Sequence, residues 1–277
     1  MPRIAFLTLF DRYGAEILER QRQATLEPLP ESFHQMRVHV KRARALLELV
    51  AAIAPSFRRK RTMRVFQEPF RSAGTVRDLH VQTAIANSEA AKIGADVSPY
   101  VAMLETRERN AVGAWIASGP RIDPESLTRV RAEVARSLDR RRWVDLASSV
   151  WTHFNARLGD VLEFDVHAAD LHDLRKRVKE CSNLTWIIAE VTPELTIAEP
   201  LAKALDKLQK QLGDWHDYDL AMRTTAELPT EEPGVDAPYR WHEFRAAIET
   251  GRARLHDKVL RNWHALAKLA PPGVVRI

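Results

Sequence analysis

The sequence predicts an all-α protein made of two four-helix units related by internal duplication. Three observations predict it. Glycine is sparse, at 10 of 277 residues. Proline falls mostly where helices should begin or end. Four short motifs also recur in the same order at an offset of 138 to 139 residues. Strand-like alternation is not evident.

Eight helices are expected, at about 3–26, 31–54, 57–87, 98–117, 124–160, 167–191, 198–227 and 237–269. The first opens on MPRIAFLTLF, apolar but short, without a basic lead or cleavage site, so it reads as a helix and not a signal peptide. The second carries Phe33, Met36, Val40, Ala43, Leu47 and Val50 at 3–4 spacing, a core face. The third contains GTVRD from Gly74. The fourth should start at Ser98-Pro99 and the fifth at Asp123-Pro124, each a capping side chain before a proline suited to the first turn. In the sixth, HDLRKRVK from His172 repeats HQMRVHVK from His34, with an inward seam of Leu174, Val178, Cys181 and Thr185. Pro193 then matches Pro55, and the seventh helix repeats the glycine motif as GDWHD from Gly213. The acidic, proline-rich stretch 227–238 reads as the longest loop, and Pro238-Tyr239 beyond it matches Pro99-Tyr100. The first and fifth helices correspond by position only. The repeats are placed at about 1–122 and 123–277, within one domain spanning 1–277.

Packed duplicates commonly adopt an approximate two-fold axis, which would bring the second and sixth helices together at the centre. On the second helix His34, Arg37, Lys41 and Arg44 form a stripe apart from the apolar face, within about 80° of one another and about 15 Å long. The sixth repeats histidine, arginine and lysine at the same intervals as His172, Arg175 and Lys179, with Ser182 in the place of Arg44. Between His34 and Arg44, and between His172 and Lys179, no acidic residue sits on the stripe at i+3 or i+4. Such a row of donors awaits an anion from outside. The third and seventh helices add matched charges, Arg64 with Lys203 and Arg71 with Lys210, while Lys207 has Glu68 as its counterpart. Asp78 and Asp217, four residues after each glycine, are expected to orient the arginines by charge-assisted hydrogen bonds.

A net charge of +5 favours an anionic partner. The single cysteine, Cys181, excludes an internal disulfide and a cysteine-based zinc site, as expected in the cytoplasm. No stretch approaches the roughly 20 apolar residues of a membrane span.

FHQMRVHVKRARALLEL and LHDLRKRVK, with AGTVRDLHV and LQKQLGDWHDYDLA after them, resemble the paired signatures of the CHAD family, the conserved histidine α-helical domain. The resemblance runs from about Phe33 to Tyr239. It implies two four-helix bundles around a central basic cavity that binds inorganic polyphosphate, association with polyphosphate granules, and no catalytic activity or cofactor. By position it assigns the ligand to His34, Arg37, Lys41, Arg44, His172, Arg175, Lys179 and Lys207, and the matched charge Arg71 joins them as a candidate. After Lys179 the chain departs from the family's further basic residues and tyrosine, reading ECSNLTWII. Relatives often carry a triphosphate tunnel domain upstream; with no room for one, this chain is expected to stand alone or to be a fragment.

Nucleic acid is the nearest rival ligand, since any polyanion releases condensed counterions on meeting a basic row. Single-strand binders interleave aromatics with their cations. Here the stripes hold only His, Arg and Lys, and Trp143, Trp151 and Trp186 read as packing residues. A phosphoryl-transfer role has less support: there is no GxxxxGK[ST] loop, no HExxH, and no paired carboxylates at metal-ligand spacing.

Overall fold

The computed structural model describes residues 2–139, 143–166, 170–193, 195, 197–228 and 239–269. Among them lie nine helices and no strand: α1 (Pro2–Leu26), α2 (Pro30–Ile53), α3 (Arg59–Ile93), α4 (Ser98–Ser118), α5 (Pro124–Leu138), α6 (Trp143–Leu162), α7 (Leu171–Val191), α8 (Glu199–Thr225) and α9 (Trp241–Ala267). None is long and apolar enough to cross a membrane.

Local chemistry sets several of these boundaries. The Asp123 carboxylate accepts from the Ser126 N–H at 2.7 Å, with Pro124 in the first turn of α5 as expected. Asp170 does the same for His172 at 2.9 Å, so α7 begins at Leu171, later than the sequence suggests; 167–169 lie outside the described residues. Ser98 is not the cap of α4: it is the first helical residue, and its N–H donates to Asp96 at 2.8 Å. α3 outruns its expected end at 87 and stops at Gly94, whose φ of +62° is the left-handed cap conformation that a Cβ disfavours. The expected helix 124–160 is α5 and α6, and 140–142 between them are outside the described residues. So is the expected loop from 229 to 238, which includes the start placed at 237 for the last helix.

Consecutive helices pack together from α1 to α4 and again from α6 to α9. Across the molecule α2 meets α7 and α3 meets α8. α1 packs on α2 and α7, while α6 packs on α7 and α2, so by packing the counterpart of α1 is α6. α5 lies on α1, α2 and α3 of the first half. Buried Gln21 fastens that corner, donating to the Ile122 carbonyl at 3.0 Å and accepting from the Ile122 N–H at 2.7 Å.

Every residue expected on the α2 core face, from Phe33 to Val50, is buried, as are Leu174, Val178, Cys181 and Thr185 on α7. Fully burying a side chain such as Phe33 or Leu47 contributes about 1.5–3 kcal/mol. Burial of these apolar seams fixes the rotation of both helices, and that rotation leaves their basic stripes facing one another.

Candidate functional site

Lys41 and Arg44 of α2 and Arg175 and Lys179 of α7 line one cavity of about 490 Å³. Arg37 lies one turn before Lys41. Its Nη1 donates to the Phe70 carbonyl of α3 at 2.7 Å, and its guanidinium carbon sits 4.2 Å from the centre of the Phe70 ring. The Arg44 guanidinium shares that ring at 5.3 Å. All five cations are half-buried. Among the described residues none has a carboxylate oxygen within 4.0 Å, whereas Arg59 in the cavity wall and Arg71 and Lys203 outside it are paired with Glu48, Glu68 and Glu199.

Such crowding alters the lysines. Burial, and then the proximity of Arg37 and Arg175, pushes Lys41 down to about 8. Lys179, held down by burial and by Lys41, Arg175, Arg44 and Arg37, falls to about 7. Taking an ammonium out of water beside like charges disfavours its charged form, and an anion in the cavity would restore it. Asp217 is raised to about 6 by burial, despite Arg77 and Arg175. The expected hydrogen bonds from Asp78 and Asp217 to the arginines do not form: among the described residues neither makes a hydrogen bond or ion pair, and they act on Arg37 and Arg175 only through the field.

The two histidines sit in different surroundings. His34 is half-buried among Arg77, Glu31, Lys41 and Arg37, and burial lowers its pKa first, with Arg77 next. His172 lies against α8: its Nε2 is 3.2 Å from the Asp219 carboxylate and its ring 5.0 Å from Trp215. Asp219 is buried and also takes Arg223 at 2.7 Å and Arg252 at 2.9 Å. Burial works against the ionised form of Asp219, but Arg223, Arg252 and His172 hold it below the usual carboxylate range. Of the other predicted site residues, Arg71 is exposed and paired with Glu68, and Lys207 is an exposed residue of α8; these two, like His34 and His172, do not line the cavity.

Sequence reasoning missed Asp219 because the repeat drew attention to Asp217; the i,i+4 spacing of Asp219 and Arg223 was the available signal. It also missed Arg59, His153, Lys176 and Asn183, which complete the cavity wall with Glu48 and Glu180. His153 and Arg59 come from α6 and α3, outside both stripes, and only the packing brings them there.

The aromatics correct another expectation. Trp151 and Trp186 are exposed and do not pack in the core, and the side chain of Trp143 is outside the described residues. The ring beside the cluster is Phe70, covered by two guanidiniums, and Trp215 next to His172 is buried. Trp215 thus offers no surface to a base, and the Phe70 ring is already engaged by Arg37 and Arg44.

A family model described as the CHAD domain matches residues 9–226. The fold is similar to a solved structure titled as the CHAD domain from the plant Ricinus communis, with a TM-score of 0.64, 20% identity, and coverage of 95% of this chain and 91% of that one. It is also similar to PptA from Streptomyces chartreusis, with a TM-score of 0.63, 10% identity, and coverage of 96% and 99%. No curated protein matches the sequence significantly.

Proposed function

The chain belongs to the CHAD domain family, and from that premise we propose that it binds inorganic polyphosphate in the cavity between α2 and α7 without catalysing a reaction. One observation carries the reading: Arg37, Lys41, Arg44, Arg175 and Lys179 converge, half-buried, with no carboxylate within ion-pairing distance among the described residues. A protein gains nothing in stability by gathering cations this way, since partial desolvation and mutual repulsion both oppose it. A chain bearing about one negative charge per phosphate relieves both at once.

The residues assigned to the ligand are these five with His34 and His172. Arg71 and Lys207 extend the path along α3 and α8, as exposed cations that a long polymer would meet outside the cavity. The whole of 1–277 acts as one binding domain with repeats at about 1–122 and 123–277, and partition to polyphosphate granules in the cytoplasm follows from the ligand. Nucleic acid is disfavoured because the rings nearest the cations are covered or buried.

Titrating fluorescently labelled polyphosphate at several salt concentrations tests the reading. Affinity should fall steeply as salt rises, reflecting several neutralised phosphates. Single-stranded DNA should compete poorly, phosphate for phosphate, and no inorganic phosphate should be released. DNA competing as well as polyphosphate would move the ligand to nucleic acid, and phosphate release would make the protein an enzyme.

A further inference from the structure

The two arginines of the repeat are held differently. Arg37 bonds the Phe70 carbonyl, stacks on the Phe70 ring and lies against Gly74, where an added Cβ would collide with its Nη1 and come within 3.1 Å of its Cζ. Gly74 is therefore the residue that lets the guanidinium rest on α3. In the second half the corresponding glycine is Gly213, and a Cβ there would meet nothing within 4 Å. Four residues earlier, in the position of Phe70, stands Gln209. It has no ring to stack on, and its buried Oε1 lacks a partner among the described residues. Arg175 itself makes no hydrogen bond or ion pair among the described residues.

We infer that Gly74 and Phe70 are positioning residues that preset Arg37 as a rigid donor, while Arg175, which does not rest against Gly213 and has Gln209 where Phe70 stands, is the adaptable arm that closes on the ligand. This rests on the polyphosphate reading of the cavity. Arg37 has already lost its rotamer freedom on folding, so its remaining N–H groups bind without that cost. Arg175 must be ordered by the ligand, and it alone of the two lines the cavity wall.

Gly74→Ala tests this without changing any charge. Only the far end of a flexible side chain stands in the way of the new methyl group, so the helix should tolerate it and Arg37 should be displaced. Titration with labelled polyphosphate should show roughly a tenfold loss of affinity for Gly74→Ala, the scale of one charge-assisted hydrogen bond. Gly213→Ala should stay within about twofold. In an Arg37→Gln background Gly74→Ala should cost nothing further, which a purely structural role would not predict. Equal losses at the two glycines, or a Gly74→Ala loss that persists without Arg37, would overturn the inference. Nitrogen NMR of the guanidinium groups in the unliganded protein reads the same asymmetry independently: rotation should be slow for Arg37, fast for Arg175, and fast for Arg37 in Gly74→Ala. Were the unmodified protein to bind no polyphosphate, the functional reading would fall, while the NMR comparison would still decide whether Gly74 positions Arg37; matching rotation rates would refute it.

Discussion

Around Asp219 three side chains, His172, Arg223 and Arg252, converge on one buried carboxylate; between α2 and α7 five cations converge on none. Both assemblies gather arginines, and α7 contributes to each, His172 to the first and Arg175 and Lys179 on the following turns to the second. In the first the protein supplies its own counter-ion and the charges are internally satisfied. In the second the wall carboxylates, Glu48 and Glu180, pair with Arg59 and Arg157 and reach none of the five, and the lysines answer by giving up protons near neutrality. The difference teaches that a basic motif marks a binding site only when the fold withholds the acid. At His172 the fold provides one, so this histidine contributes less to the ligand than the five unpaired cations do.

The strongest way to break the contrast is charge reversal. Arg37→Glu with Arg175→Glu should weaken polyphosphate binding by roughly a hundredfold or more, because a repulsive charge then sits within the screening length of the ligand. Arg109→Glu with Arg129→Glu, both at exposed positions on other helices, changes net charge equally and should stay within about threefold. Arg252 would be a poor control, since it holds Asp219. Equal losses in the two pairs, measured by titration with circular dichroism to confirm folding, would mean that diffuse charge holds the ligand.

Single substitutions separate the two regions by sign. Lys179→Met removes an unpaired, half-buried charge, so affinity should fall roughly tenfold while the unliganded protein becomes more stable by about 1 kcal/mol in urea unfolding. Asp219→Asn removes the acid from a satisfied group, so stability should drop by about 1–2 kcal/mol, discounted for the exposed Arg223. Affinity should then change only a few-fold, through His172. A Lys179→Met protein that unfolds more readily would show that the cation is already satisfied.

The smallest effect is that of pH. Lys41 and Lys179 are depressed below their unfolded value, so between about pH 7 and 9 the unfolded chain holds more protons than the native one, and unliganded stability should rise with pH across that window. Asp217, at about 6, is ionised in both states there and adds no slope. Polyphosphate affinity should run the other way, falling several-fold as the lysines lose charge. His34, lowered by burial, stays neutral in this range and adds no slope. Thermal melts and titrations at pH 7, 8 and 9 would expose any parallel trend.

The helical period of Phe33 to Val50 and of Leu174 to Thr185 was enough to find the apolar faces, and those faces fix where the stripes point. The repeated order of His, Arg and Lys identified α2 and α7, which do meet. Side-chain partners were less legible. Asp78 and Asp217 stand at matched positions yet bond no arginine, because a short acid reaches only what its helix rotation allows; the acid that is used, Asp219, has no matched partner, His80 standing in its place. Arg71 was carried by its alignment with Lys210, but its own Glu68 is closer to it than the cavity is. The cavity wall from α3 and α6 depends on contacts between distant segments, and local pattern carries no trace of those.

α5 has a consequence for how the chain could be divided. The repeat in the sequence places the seam at 122/123, yet α5, beyond that point, is fastened to the first half by its packing on α1, α2 and α3, by the Arg131–Asp11 ion pair and by Glu133, which accepts from the Arg58 N–H. A protein cut at 122/123 would strip a wall from one piece and leave a loose amphipathic helix on the other. A cut at 140–142 would keep α5 with the half it packs on and leave each fragment carrying one arginine of the pair, so that polyphosphate could serve as the cross-link that draws a split molecule back together.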